Sequence, residues 1–101
     1  MVIISIPILK EFGQKHPAAE TGLEKAYDDT RRASWKNFAD VKKTFNTVDG
    51  VWNDRYVFDI KGNQYRLVAL IIFKVRTVFI LFVGTHKEYD KVHASKTTFK
   101  K

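Results

Sequence analysis

Apolar residues follow two different rhythms along this chain, and the change from one to the other divides it. Between Leu9 and Phe45 they recur every three or four positions, the period of a helix; from Tyr56 onward they gather in runs of strand length, dense in aromatic and β-branched side chains. Val2 to Ile6 reads as a first strand, ended by Pro7, which cannot donate to a ladder but suits a first helical turn. Leu9 and Phe12, one turn apart, predict a short helix that stops near Gly13. Pro17 at a first helical position, Glu20 in the first turn, and Leu23, Ala26, Tyr27 and Thr30 at helical spacing predict a second helix to about Arg32. Its other face, with Glu24, Lys25, Asp28, Asp29 and Arg31, reads as solvated. Ser34 is the expected N-cap of a third helix in which Phe38, Val41 and Phe45 share a side, and 46–54 is expected to be loop.

The second half predicts an antiparallel meander. Tyr56 to Ile60 and Tyr65 to Phe73 flank Lys61-Gly-Asn-Gln, whose Gly62-Asn63 supplies the positive φ that a tight hairpin needs. Lys74-Val75-Arg76 then separates that run from Thr77–Val83. A first turn at Gly62-Asn63 sets Arg66 opposite Asp59 and Gln64 opposite Lys61. A second turn centred on Val75 sets Arg66 opposite Gly84 and Gln64 opposite His86. These positions share one parity, so they converge on one face at one end of the sheet, beside a glycine that leaves backbone open. Val57, Val68, Leu70, Ile80 and Phe82 continue that face as an apolar surface. The expectation is an α+β domain: an N-terminal strand and two to three helices packed on an antiparallel sheet of three to four strands, with a short helix or turn after it.

Length and composition narrow the function. The 101 residues make one domain with one core, 45% hydrophobic and 14% aromatic, which excludes a disordered chain. There is no cysteine, hence no disulfide framework and no thiolate chemistry, and a reducing, cytoplasmic setting is expected. No signal peptide is read at the N-terminus, and Lys74 and Arg76 interrupt the most apolar window, so no membrane span is expected. Eighteen Lys plus Arg against eleven Asp plus Glu give a net charge of +7, which favours a polyanionic partner, nucleic acid before an anionic membrane; the bland alternative is a charge that only keeps the domain soluble.

Within the predicted cluster, Arg66 offers a planar fork for phosphate, although Asp59 across the ladder offers it an ordinary ion pair instead. His86 is the side chain suited to proton transfer near neutral pH, or a histidine that merely hydrogen-bonds at a turn. Tyr89 could stack on a base, Lys87 and Lys91 could contact phosphate, and Asp90 could orient His86. Arg55 and Gln64 complete the candidate RNA contacts and Lys61 the candidate phosphate ligands. His86 and His93 have no carboxylate at a convincing spacing for a metal, so no metal or other cofactor is expected, and glycine-rich phosphate loops and Gly-x-Ser-x-Gly are missing.

Two blocks, Tyr56-Val-Phe-Asp-Ile-Lys-Gly-Asn-Gln-Tyr-Arg-Leu-Val-Ala and Gly84-Thr-His-Lys-Glu-Tyr-Asp, together with Ile3-Ile-Ser, His16-Pro-Ala-Ala-Glu and Ser34-Trp-Lys-Asn-Phe-Ala-Asp-Val-Lys, resemble the HigB family of bacterial type II toxins within the RelE fold group. The resemblance spans nearly the whole chain. It implies an endoribonuclease, an mRNA interferase that cuts message in the ribosomal A site without a metal, by attack of a ribose 2′-hydroxyl on its own 3′-phosphate. It also implies a helix-turn-helix antitoxin of the HigA type as partner, with operator DNA reached only through that antitoxin. On matching positions, Arg66 corresponds to the phosphate-binding strand arginine, His86 falls near a second functional position, and Tyr89 and Asp90 lie in the motif that follows. RelE-type toxins carry several lysines on the preceding strand, whereas here Asp59 occupies it and Lys61 stands alone in the turn. The expected assignment is His86 as general base, Arg66 and Lys61 on the phosphate, and Tyr89 or Lys87 positioning substrate or leaving group. The competing readings are a non-catalytic basic RNA- or ribosome-binding module, and a protein-binding subunit that docks a partner on a sheet edge.

Overall fold

Prolines stand in the first turn of both long helices, where a missing N–H costs nothing and a fixed φ favours the helical bend. The computed structural model describes residues 1–51 and 53–91. Strand β1 (Val2–Ile4) leads into α1 (Ile6–Lys15) and α2 (Pro17–Arg32), a helical pair, followed by α3 (Phe38–Thr44). The sheet is completed by β2 (Asp49–Gly50), β3 (Arg55–Ile60), β4 (Tyr65–Ile72) and β5 (Thr77–Thr85), and α4 (His86–Tyr89) follows at once.

The α+β class expected from the sequence is the one observed, but the sheet is larger and mixed. Five strands run in the order β1-β5-β4-β3-β2; β1 lies parallel to β5, while the other neighbours are antiparallel. The extra strand is β2, inside the stretch expected to be loop, where Asp49 and Gly50 pair with Val57 and Tyr56. Two residues carry too little periodicity to be read from sequence. Helix α1 continues two residues past Gly13 to Lys15. The cap of α3 is Asn37, whose side chain accepts the Asp40 N–H at 3.1 Å, rather than Ser34, whose hydroxyl accepts from Arg76 at 3.1 Å. In the first hairpin Lys61 and Gly62, not Gly62 and Asn63, carry positive φ. Residues 92–101, His93 among them, lie outside the described residues.

The three helices cover one face of the sheet. Leu9 and Leu23, with Val41, meet Phe58, Leu67, Ile71 and Val78, all buried. Helix α2 comes so close to β3 that a β-carbon on Gly22 would stand 3.0 Å from Ile60 Cγ2, so glycine here sets the depth of the contact. The opposite face carries a smaller cluster, Val57, Val68 and Leu81, with Leu70, Phe79 and Phe82 half-buried around it. Among the described residues no helix is long and apolar enough to cross a membrane.

One irregularity decides which side chains join which face. The β4–β5 hairpin closes with Ile72 opposite Thr77, half a residue away from a turn centred on Val75. Leu81 is then an extra residue, so Ala69 faces Ile80 while Val68 faces Phe82. The bulge restores the expected alignment at the far end, where Arg66 faces Gly84. It also reverses parity on the turn side: Ile80 belongs to the helix-covered core, not to the open face on which the sequence placed it. Ile71 is 1% exposed at the centre of that core. Ile71→Ala is expected to lower unfolding free energy by about 2–4 kcal/mol, as a shift of the urea midpoint at unchanged m-value.

Candidate active site

The open face ends in a rim formed by β4, β5 and α4. Arg66 projects from β4 where the ladder places Asp59 on one side and Gly84 on the other. Its Nε lies 3.2 Å from Asp59 Oδ1, and its Nη1 donates to the Asn63 carbonyl at 2.8 Å. The Tyr89 ring covers it, with the guanidinium carbon 5.9 Å from the ring centroid, close enough for a cation–π contact. The Arg66 side chain is only 14% exposed. It is a cation fixed in one orientation, partnered by the carboxylate that sequence spacing set opposite it.

His86 begins α4. Its backbone N–H donates to the Gln64 carbonyl at 3.0 Å, so the helix starts directly beside the residue two before Arg66. The imidazole Nδ1 stands 3.2 Å from Asp90 Oδ2, and the side chain is half exposed. With Nδ1–H given to Asp90, Nε2 keeps the ring's free lone pair. Lys87 and Lys91 are exposed on and just after the same turn, and Lys61 and the Gln64 side chain are exposed in the hairpin loop beside it. The rim therefore gathers Arg66, His86, Tyr89, Asp90, Lys87, Lys91, Lys61 and Gln64. Arg55 stands apart: it pairs with Leu70 at the opposite end of β3 and donates to the Asn53 carbonyl at 2.7 Å. Four residues separate it from Asp59, roughly 13 Å of strand.

A helix of four residues cannot persist by its own hydrogen bonds. α4 is held by a capping box, in which Thr85 Oγ1 accepts the Glu88 N–H at 3.2 Å and Glu88 Oε1 accepts the Thr85 N–H at 2.8 Å. That backbone hydrogen bond, then the Thr85 side chain and the charges of His16 and Lys15, hold the Glu88 carboxyl below its ordinary range, against the opposing effect of burial. Sequence reasoning missed this residue, although Thr85-x-x-Glu88 is the box signature. Phe82 lies on the open face as expected, but its ring lies over Gly84: a β-carbon there would run into the Phe82 ring and stand 3.2 Å from Glu88 Cβ. Gly84 thus leaves room for a ring rather than for a ligand.

A groove of about 430 Å³ lies elsewhere, between α1 and α2, lined by Leu9, Leu23 and Tyr27 among others. The rim is a surface, suited to a long, extended ligand. Among the described residues no three His, Cys, Asp or Glu side chains gather to hold a metal ion.

A helical pair backing a twisted sheet, whose open face ends in a fixed arginine, an aromatic ring and an exposed histidine ringed by lysines, has the architecture and surface expected of a small RelE-like toxin. Residues 19–92 match the HigB_toxin family, described as the RelE-like toxic component of a toxin-antitoxin system. The chain is 32% identical to the mRNA interferase toxin HigB of Escherichia coli K12, over 95% of this chain and 97% of that protein, and to the same extent to mRNA interferase HigB of Shigella flexneri. It is 29% identical to mRNA interferase HigB of Escherichia coli O6:H1, over 91% of each chain. The chain belongs to the HigB toxin family, and as the toxic component of such a pair it has an antitoxin partner.

Two outcomes follow. Gly84→Ala must push the Phe82 ring off the open-face cluster and is expected to cost about 1–3 kcal/mol in thermal unfolding, with part regained in Gly84→Ala/Phe82→Leu. Because the folded-state pKa of Glu88 is depressed, its contribution is full above about pH 5 and is lost as pH falls through the lowered value. Protection factors at Glu88 and Tyr89, which correct exchange for its intrinsic pH dependence, should fall as pH drops through that lowered value, and Glu88→Gln should remove most of this dependence.

Proposed function

We propose that this toxin is a ribosome-dependent mRNA endoribonuclease whose reaction runs at the Arg66–Tyr89–His86 rim, in the cytoplasm and without a metal. The observation that carries the reading is the union, on one rim, of an arginine held rigidly by Asp59 and Asn63 with a histidine whose outer nitrogen is free to take a proton. His86 Nε2 removes the proton of a ribose 2′-hydroxyl; the 2′-oxygen attacks the adjacent phosphorus in line, and the 5′-oxygen leaves with a proton, giving a cyclic 2′,3′-phosphate that water can open. Arg66 and Lys61 face the charge that builds on the phosphate oxygens, Asp90 orients the imidazole, and Tyr89 or Lys87 positions the neighbouring base and the leaving group. Lys91 and Gln64 extend the contact along the backbone of the RNA.

Charge supports the choice of face. The helical pair from Ile6 to Arg32 carries five basic and five acidic side chains, whereas residues 55–91, the last three strands and α4, carry seven basic and three acidic; Lys96, Lys100 and Lys101 lie outside the described residues. A polyanion is drawn to the sheet and α4, which leaves the neutral helices to a protein. The mRNA interferase names of the relatives agree with message as substrate. The antitoxin is read as a helix-turn-helix protein of the HigA type that also supplies any contact with operator DNA.

The test is translation in vitro with the full-length chain, followed by mapping of message ends. Cuts inside the reading frame, dependent on ribosomes, are expected. His86→Ala is expected to lower the cleavage rate about 10²–10⁴-fold and Arg66→Ala about 10²–10³-fold at unchanged melting temperature. Message that stays intact on active ribosomes would sink the enzyme. Salt-sensitive RNA binding that survives His86→Ala, with no cleavage by the parent, would identify a binding module instead.

A further inference from the structure

The apolar part of the open face begins one rung away from Arg66. Arg66 faces Gly84 and Val68 faces Phe82, so two residues of strand, about 7 Å, separate the fixed guanidinium from the Phe82 position. The ring closes part of that interval. Its Cε2 and Cζ occupy the space that a β-carbon on Gly84 would need, and the same point lies 3.2 Å from Glu88 Cβ, so the ring tip ends beside α4. Phe82 is half-buried and packs against Val68 and Leu81, which are 0% and 5% exposed. Among the described residues no other ring pairs with it, whereas Tyr89 already gives one face to the Arg66 guanidinium.

We propose that Phe82 is a base seat: its ring takes, by stacking, the base of a nucleotide next to the scissile phosphate, while Arg66 and the rim lysines hold the phosphates. The inference rests on the assignment of message to this rim and carries it from the RNA backbone to a base. Two observations choose the occupant. Arg66, Lys61, Lys87 and Lys91 stand on the rim, and a ring lies one rung inside it. That arrangement matches a polyanion whose flat groups sit at a short, fixed distance from its charges, as in single-stranded RNA. An acidic peptide supplies the charge without such a group. The second observation is Gly84, which weakens a strand interior but is the residue that lets the ring lean toward the rim. A π-face accepts every base, so the seat grades bases by stacking strength and reads no hydrogen-bond pattern.

The experiment uses the full-length chain on ribosomes programmed with a message that cannot be cut, because its A-site codon is built from 2′-deoxyribose. One base of that codon at a time is replaced by 2-aminopurine, whose fluorescence falls when it stacks. At saturating toxin the parent is expected to quench one of the three probes. Phe82→Leu, which keeps an apolar side chain against Val68 but no flat face, should leave that probe unquenched, and Phe82→Tyr should restore the effect. On an all-ribose message Phe82→Leu is expected to raise the toxin concentration for half-maximal cleavage about five- to fifty-fold, with the rate at saturation within about two-fold of the parent. An abasic nucleotide at the quenched position should weaken the parent by a similar factor and Phe82→Leu hardly at all, a coupling that a merely structural ring would not produce. No quenching by the parent, equal quenching by parent and Phe82→Leu, or an abasic penalty that persists in Phe82→Leu would overturn the base seat. Quenching that Phe82→Leu abolishes, on ribosomes where the parent leaves an all-ribose message intact, would establish the seat and remove the cleavage reading. Cleavage by the parent without quenching would do the reverse.

Discussion

The extra residue in β5 governs where everything else stands. A strand that passed Leu81 without a bulge would bring Val83, not Gly84, opposite Arg66, because the hairpin closes half a residue away from the centre the site requires. The consequences of that one-residue slip would differ at the two ends. At the turn end, Ile80 and Val78 would keep their place against the helices. At the rim, Gly84 and the start of α4 would rotate to the wrong side, and Tyr89 would no longer lie over Arg66. The bulge lets a continuous strand serve a core on one face near its start and a chemical surface on the other face near its end. Bulges next to active sites commonly re-aim a side chain in this way.

The same division appears in charge and in packing. The helix-covered face holds most of the buried large apolar side chains, and the α1–α2 pair on it is neutral in sum. The open face has only a small apolar cluster, capped by Tyr89, and the rim beyond it is cationic. Stability and the proposed chemistry thus draw on opposite faces of one sheet. They meet at its end, where Tyr65 belongs to the core and its ladder partner Thr85 caps the active helix.

Local patterns made the helices, the last three strands and the rim legible, because each is written in a period or a turn. Gly62 announces the first hairpin, and from there strict alternation fixes the Asp59–Arg66 pair. The second hairpin is a different case. The alignment expected from a turn at Val75 is found only at the rim, where half a residue of error in the turn is cancelled by the bulge, and for Ile80 it fails. No residue type announces a bulge at Leu81, an ordinary strand former. Strand β2 was invisible for want of length, and the Asn37 cap lost to Ser34 because both residue types suit the role.

The carboxylate beside Arg66 looks at first like a handicap for a phosphate site, and magnitudes decide how far it is one. An arginine side chain carries about 2 kcal/mol of rotamer entropy, which a flexible residue would lose on gripping a phosphate. Here Asp59 and the Asn63 carbonyl have already fixed the fork, so most of that cost falls on folding instead. Against it, a phosphate seated about 6 Å from Asp59 would be repelled by about 2–3 kcal/mol at an effective dielectric near 20. The two terms nearly cancel. In the proposed reading Arg66 therefore contributes direction more than affinity, and the attraction for a polyanion on this rim comes from the exposed lysines around it, Lys61, Lys87 and Lys91. That is, in the proposed reading, a reason for residues 55–91 to carry seven basic side chains against three acidic ones, and for a lone strand arginine to suffice where the preceding strand offers Asp59 in place of lysines.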